Sequence, residues 1–595
     1  MRSEWSRREV LSAGVGTAVA ATSGTVLTES AARPARAAGF PGRKPRGQAG
    51  GNGFAQAGEP SRAAYRALAE AERDHQLRMR DRLAQEEDPD DGSSGSGGGQ
   101  PTAPSFERTV NAVEDLGADP SGSRPINGDV GPAIQDGNLI VFPPGDYVVR
   151  GNWQIDVDGT FGMVGAGYQS NSPPTSGEVA RLVAPAGTAA RINFGATTGL
   201  FASFVLDQSR PGANIGAVLN SHGFVHGRDL VVAGIVDQTG SGADEARNNS
   251  AVAFLSDPGT TARVTRLIAQ GTGYPGDKNV GGVPGLWVGQ MNRGTAQIVD
   301  CHVRASADNG IYGSRTPGNT HIIGGSYVNN EVAQIRYCGR GSFADGVTLA
   351  IDADNYSGPI GDTGGFIQKI ATNGVKIEQP SHIDKPGGAV LRNADIRGVS
   401  GDNVGALIYV RGHGGALKVD NCRVTNAIPG TPSLRASRPG TSYDPASPPP
   451  HNVTIMNSLF AGPAGLGNAV TVNGRPQSLV TNTCFQIPGT APTALSGVQI
   501  GSGVGFGETC STGGLQTPSA VGGGGNLSAA NFSAMNVSYG LAASGGSQKG
   551  GIIKALVSTV LMLVAGVATM TLGLLAVGVL LGGSGLLVAY LMTEE

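Results

Sequence analysis

Asp352 and Asp354, in the stretch LAIDADNYSG, are the first side chains in this sequence whose types and spacing could do chemistry. On a β-strand, residues two apart project from one face. Paired carboxylates there can hold a calcium ion or act as acid and base at a glycosidic bond. Calcium is the only cofactor such residues suggest; a solvated strand edge is the other reading. Further on, YVRGHGGALKV places His413 between glycines, downstream of Asp395 and Asp402. Aspartates with a histidine nearby could act as acid and base in a hydrolase, which makes His413, Asp402 and Asp395 candidate catalytic residues. A turn histidine is the alternative. Trp153, Trp287 and several tyrosines could stack on sugar rings, although three tryptophans make a thin platform. Asp308-Asn309-Gly310 reads as turn chemistry.

The composition narrows the scaffold that must position these groups. The chain has 595 residues, of which 96 are glycine, 5% aromatic and 15% charged. That much glycine without a G-X-Y period excludes collagen and fits a fold that turns very often. A formal charge of −3 with no basic stripe argues against a nucleic-acid partner. Five widely spaced cysteines contain no C-x-x-C pair, so a zinc site is not expected. Cys301 and Cys422 suit a buried core as free thiols.

The two ends set the expected compartment. Ser6-Arg7-Arg8-Glu9-Val10-Leu11, an uncharged stretch and a small-residue exit at Ala35-Arg36-Ala37 look like a twin-arginine export signal over residues 1–38. Residues 39–105 read as a flexible linker containing a charged helix at 61–87. At the other end, residues 555–592 carry no charge. That is long enough to cross a hydrocarbon core about 30 Å thick. A transmembrane segment is therefore predicted over 552–592, one crossing being favoured over a cramped hairpin of two, with the body outside and a short cytoplasmic C-terminus. Residues 516–551 form a Gly/Ser/Asn-rich stalk with glycosylation acceptors at Asn526, Asn531 and Asn536; Asn248, Asn355 and Asn452 are further acceptors.

Between the ends, residues 106–515 alternate short apolar, β-branched runs with Gly, Asn, Asp and Pro turns. AQIVDCHVRAS, ALKVDNCRVTN, NVTIMNSLFAG and SLVTNTCFQIP can be written over one another. Each reads as a strand, a small polar step, then another short strand. The steps fall on Cys301, Cys422, Ser458 and Cys484, and THIIGGSYVNN adds Ser326. A unit of roughly 20–30 residues that cannot bury its own apolar face predicts a solenoid. Cys484 and Cys510 lie about one such turn apart, so an exported chain permits a disulfide between neighbouring coils there.

The stretch VEDLGADPSGSRPINGDVGPAIQDGNLIVFPPGDYVV then resembles the opening of right-handed parallel β-helix proteins of the pectin-lyase-like superfamily. Such chains start with a "lGAdptG" phrase, a short helix, and "VyFPpGtY". The resemblance implies an all-β solenoid capped by a helix over 125–134, with Ile126, Val130 and Ile134 on its apolar side. It also implies a coil corner at Pro143-Pro144-Gly145. SADNGIYGS is similar to a common turn phrase of the same superfamily. The Gly-His-Gly around His413 is similar to that of polygalacturonase-type hydrolases, but their N-x-D, D-D and R-x-K companions are missing. Fold is specified far better than reaction, because this superfamily hosts lyases, hydrolases, tailspikes and binding proteins.

The expectation is a membrane-anchored extracytoplasmic β-helix protein that binds carbohydrate or serves surface structure and adhesion. Its partner would be a polysaccharide or surface glycan. The alternative is a polysaccharide lyase or glycoside hydrolase acting on an acidic polysaccharide. A compact outer cluster of carboxylates with Arg or His would favour that alternative. No sequence feature sets the oligomeric state.

Overall fold

The computed structural model describes residues 104–510 apart from 168–177, 237–249, 272, 274–282, 357–371, 380–382, 441–445, 463–468, 488–491 and 508–509. The predicted signal segment, charged helix, stalk and transmembrane segment lie outside the described residues, as do Asn248, Asn526, Asn531 and Asn536. No helix among the described residues is long and apolar enough to cross a membrane.

A three-residue strand has too few backbone groups to hold itself, and it persists only if copies stack on both sides. That is what the coil supplies. Every strand pairing among the described residues is parallel, in one 23-stranded and one 14-stranded sheet. From Val252 on, each turn contributes three strands to three faces. One turn runs Ile311–Gly313, Asn319–Ile323, Ser326–Val328; the next runs Ile335–Tyr337, Phe343–Asp345, Thr348–Asp352. They stack in register as Ile311 on Ile335, His321 on Phe343 and Ser326 on Thr348. The first and second faces share the larger sheet because Gly151–Gly165, Ala189–Ala202 and Asn214–Arg228 run through both without a break.

The corner between the second and third faces explains the polar steps. Asp300, Gly324, Gly346, Asn393, Asn421, Asn457 and Asn482 all have positive φ, between 43° and 63°, a region that asparagine, aspartate and glycine tolerate best. Their amides form a ladder: Asn421 Nδ2 donates to Asn393 Oδ1 (2.7 Å), and Asn482 Nδ2 to Asn457 Oδ1 (2.7 Å). The next residue is small and turned inward. Cys301, Cys422, Ser458 and Thr483 each donate to the carbonyl two residues back, at 3.4, 3.3, 2.7 and 2.7 Å.

Two of the predicted steps are one residue out. Ser326 pairs with His302 and Cys484 with Leu459, so Gly325 and Thr483 hold the inward positions. Gly325 has φ of 81°, and a Cβ there would collide with the Cys301 carbonyl. Cys484 is joined to Cys510 by a disulfide with a Cα–Cα distance of 5.8 Å. Gly505 stacks on Cys484 and lacks a side chain, which leaves room for Cys510. Cys301, Cys338 and Cys422 are buried free thiols.

The core is a pile of like on like. Phe161, Phe194, Phe201, Phe204 and Phe142 follow one another at centroid distances of 5.1–5.7 Å in the early turns. Phe460, Phe485 and Phe506 do the same near the end, at 5.2 and 5.6 Å. Pro143 and Pro144 make the first corner, between Asn138–Phe142 in the larger sheet and Gly145–Val148 in the smaller; neither could donate to a ladder. The capping helix is shorter than predicted. Asn127–Val130 is α-helical, and Gly131–Ala133 then tightens to a 3₁₀ turn with Pro132 at its start. The tighter turn rotates the apolar side, so Ile126, Val130 and Ala133 are buried while Ile134 is only partly so.

Candidate functional site

On the first face, strands of three to five residues bury their flanking residues and project the one between. Leu286–Val288, Ile311–Gly313, Ile335–Tyr337, Asn373–Ile377, Ala406–Val410 and Leu434–Ala436 stack in this way. Their outward residues form an unbroken file: Trp287 on Tyr312, Arg336, Lys376, Tyr409 and Arg435. At the rung spacing of about 4.8 Å, the file is about 24 Å long. The Arg336 guanidinium lies over the Tyr312 ring at 4.1 Å from its centroid, and Arg315 approaches the same ring at 5.4 Å. Arg435 approaches Tyr409 at 5.7 Å. Cations held over ring faces keep their planes fixed along the file.

Beside the file, Glu378 gathers the charges. Its carboxylate pairs with Arg336, with Lys376 Nζ at 3.3 Å, with Arg411 Nη1 at 3.2 Å, and has His413 Nε2 at 3.8 Å. The Glu378, Arg336, Lys376 and His413 side chains are about nine-tenths buried or more, whereas Arg411 is 35% exposed. One carboxylate cannot neutralise three cations in so little water. The lysine yields most easily: burial, with Arg336 and Arg411 nearby, draws its pKa down to about 7. Asp308 lies near enough to feel Arg336 and Lys376, but loss of solvent outweighs them and raises its carboxyl. The cluster is thus net cationic, partly open, and continuous with the aromatic file.

Of the residues singled out by number in the sequence, Trp287 alone stands on this file, joined by two of the tyrosines, Tyr312 and Tyr409; His413 faces Glu378 behind it. Trp153 is buried in the core and has no free ring face for a sugar. Asp395 opens the third-face strand Asp395–Ser400 and is paired with Arg397 (Nη2–Oδ2 2.5 Å). Asp402 is exposed ahead of Ala406–Val410, and His413 lies beyond the end of that strand. The five residues between, at about 3.3 Å each, keep the two apart. Asp352 ends its strand and accepts from Ser400 Oγ (3.0 Å) and Asn355 Nδ2 (2.9 Å). Ala353–Asn355 then turns into a 3₁₀ helix, so Asp354 does not share a strand face with Asp352. Among the described residues no group of three or more His, Cys, Asp or Glu is arranged to hold a metal ion. Of the two acceptor asparagines described, Asn355 is exposed and Asn452 is partly buried, its Nδ2 3.3 Å from Thr454 Oγ1.

A second titratable group lies on earlier turns, and no local motif announces it. His222 Nδ1 is 2.8 Å from Asp257 Oδ2 and Nε2 is 3.0 Å from Asp156 Oδ1. Asp156 stacks on Gly195, which stacks on Asn220. A Cβ at Gly195 would lie 2.7 Å from Asp156 Oδ1, so the glycine opens the path between turns. The bond to Asp257 raises the His222 pKa above its ordinary 6.5; burial opposes it, and the bond to Asp156 and the charges of both carboxylates add to the rise. A raised folded value means the histidine stabilises the coil fully below pH 6.5 and loses that effect as pH rises through the folded pKa. The thermal midpoint of His222→Gln should therefore fall below that of the parent at about pH 5.5, and the gap should close by about pH 9. A gap independent of pH would show that the imidazole is not charged there.

Neither a family model nor a curated protein matches the chain. Similar solved structures include the A-module of the mannuronan C-5 epimerase AlgE4 of Azotobacter vinelandii, at 14% identity and TM-score 0.33, covering 67% of this chain and 97% of that one. The Agl-KA catalytic domain is 12% identical at TM-score 0.34, over 69% and 70% of the two chains. The Streptococcus pneumoniae surface protein and adhesin PfbA is 11% identical at TM-score 0.25, over 67% and 97%. At such values these likenesses carry no statement about the reaction or ligand of this chain.

Proposed function

We infer that this chain is an extracytoplasmic, membrane-anchored carbohydrate-binding protein whose first face grips an acidic polysaccharide along the coil axis. One observation carries the reading: the file from Trp287 to Arg435, in which the last four rungs each present a cation, counting Arg411 beside Tyr409. One rung is about the advance of one sugar in an extended chain, so a uronate polymer can place a carboxylate at successive cations. Trp287 and Tyr312 supply apolar ring contact at the other end. The export signal and apolar C-terminal segment expected from the sequence support display outside the cell.

Titration calorimetry with oligogalacturonates of increasing length, against neutral glucans of equal length, tests the reading. Affinity should tighten up to about six sugars, weaken with added salt, and be absent for the neutral series. Equal affinity for both series, or none for either, would end it.

Lys376 favours one second reading, a lyase. Burial and the arginines nearby draw its pKa down to about 7. Its free amine could then take the proton from the carbon next to a uronate carboxylate held by Arg336, while the glycosidic C–O bond one carbon further breaks and the departing oxygen takes a proton from water. Unsaturated uronate released from polygalacturonate by the full chain, and lost in Lys376→Met, would favour the lyase over simple binding.

A further inference from the structure

The turn that brings Arg411 and His413 to Glu378 closes on one backbone bond of its own, from the Gly414 N–H to Arg411 O (2.9 Å). It contains Gly412, Gly414 and Gly415, and two of these are demanded by close approach. A Cβ at Gly414 would lie 2.5 Å from the Ile377 carbonyl oxygen, and one at Gly415 would strike the Gly387 backbone. The glycines let the turn lie flat on its neighbours, but they also leave it free to move.

Arg475, two coil turns further on, closes that freedom. It is 3% exposed. Its Nε donates to Ser437 O (2.8 Å), Nη1 to Gly415 O (3.1 Å) and His451 O (2.8 Å), and Nη2 to Arg411 O (2.7 Å) and Gly414 O (3.0 Å). All five N–H donors are spent on backbone carbonyls, three of them in the 411–415 turn. No carboxylate pairs with it among the described residues. Burying a guanidinium without a counter-ion is costly, and here the gain is order in one glycine-rich turn.

We propose that Arg475 is a positioning residue for the acidic-glycan site, holding the 411–415 carbonyls so that Arg411 is presented to Glu378 and the outward file. Its guanidinium hydrogen-bonds to neither Glu378 nor any side chain of the file, so it acts through Arg411. The proposal rests on the glycan reading of the first face, and its test therefore includes an arm that needs no ligand.

The full chain is compared with Arg475→Met and Arg475→Lys, the latter keeping a buried cation with fewer donors in case the former fails to fold. Hydrogen exchange is read at the Gly414 and Ala416 amides, which donate to Arg411 O and Pro450 O. Exchange there should quicken at least about tenfold in Arg475→Lys, with distant coil amides unchanged. Hexagalacturonate affinity should fall about as far as in Arg411→Ala. The Arg475→Lys/Arg411→Ala double variant should be no weaker than either single one, whereas Arg475→Lys and Arg435→Ala should multiply. Unchanged exchange in folded Arg475→Lys, or losses that multiply with Arg411→Ala, would overturn the proposal. If the parent binds no acidic oligomer, the glycan reading falls, and the exchange arm alone decides whether Arg475 orders the turn.

Discussion

Glu378→Gln is expected to lower the unfolding free energy of the coil by about 3–5 kcal/mol. Glutamine keeps the shape and one accepting oxygen but removes the carboxylate that, among the described residues, Arg336, Lys376 and Arg411 share. Arg336 and Lys376 are about nine-tenths buried, so water cannot replace it. The cost is also expected to depend on pH. Lys376 already titrates near 7; without Glu378 it sheds its proton sooner, which relieves the crowding of like charges. The deficit should be largest at about pH 6 and shrink by about pH 9. Urea midpoints of parent and variant at both values measure this. A loss below about 1 kcal/mol at either would mean that solvent reaches the cluster and the charges are screened.

Arg336→Ala is expected to weaken acidic-oligosaccharide binding by roughly 30-fold or more, the effect of truncating a desolvated, hydrogen-bonded charge. Arg336 sits mid-file, fixed between the Tyr312 ring and Glu378. Its side chain is 9% exposed, so a ligand carboxylate reaching it would find a preset donor. Arg435, at the exposed end of the file, is a rim charge, and Arg435→Ala should cost only several-fold. The fold should survive Arg336→Ala, because Lys376 and Arg411 continue to neutralise Glu378. Calorimetry at one fixed ionic strength gives both numbers. Equal losses at the two positions would show that the cluster acts by diffuse charge rather than by a central contact.

The sequence revealed the coil more readily than the site, for a geometric reason. Cys301, Cys422 and Ser458 follow a left-handed corner residue and face inward, so writing the segments over one another located the turns. Smallness alone could not separate Gly325 from Ser326, or Thr483 from Cys484; the pairing of Ser326 with His302 and of Cys484 with Leu459 does so. The outward file was out of reach of any fixed spacing. Tyr312 and Arg336 are 24 residues apart, Arg336 and Lys376 are 40 apart, and yet both pairs are adjacent rungs. The extra length is inserted after Thr348–Asp352, between the third face of one turn and the first face of the next. A usable signal existed in LWV, IYG, IRY, VKI, IYV and LRA: an aromatic or cationic residue between two that face the core or the corner. Carboxylate pairs were sought instead, and Asp352, Asp354, Asp395 and Asp402 are occupied with corners, turns and a local ion pair.

Because each turn from Val252 onward closes through its own left-handed corner and adds a single rung to each face, the coil is a ruler with whole-number markings. Copying one turn in tandem would lengthen the outward file by one rung without redesigning either neighbour, and deleting one would shorten it. A lineage built this way can change the length of the file while the chemistry of each marking stays as it was.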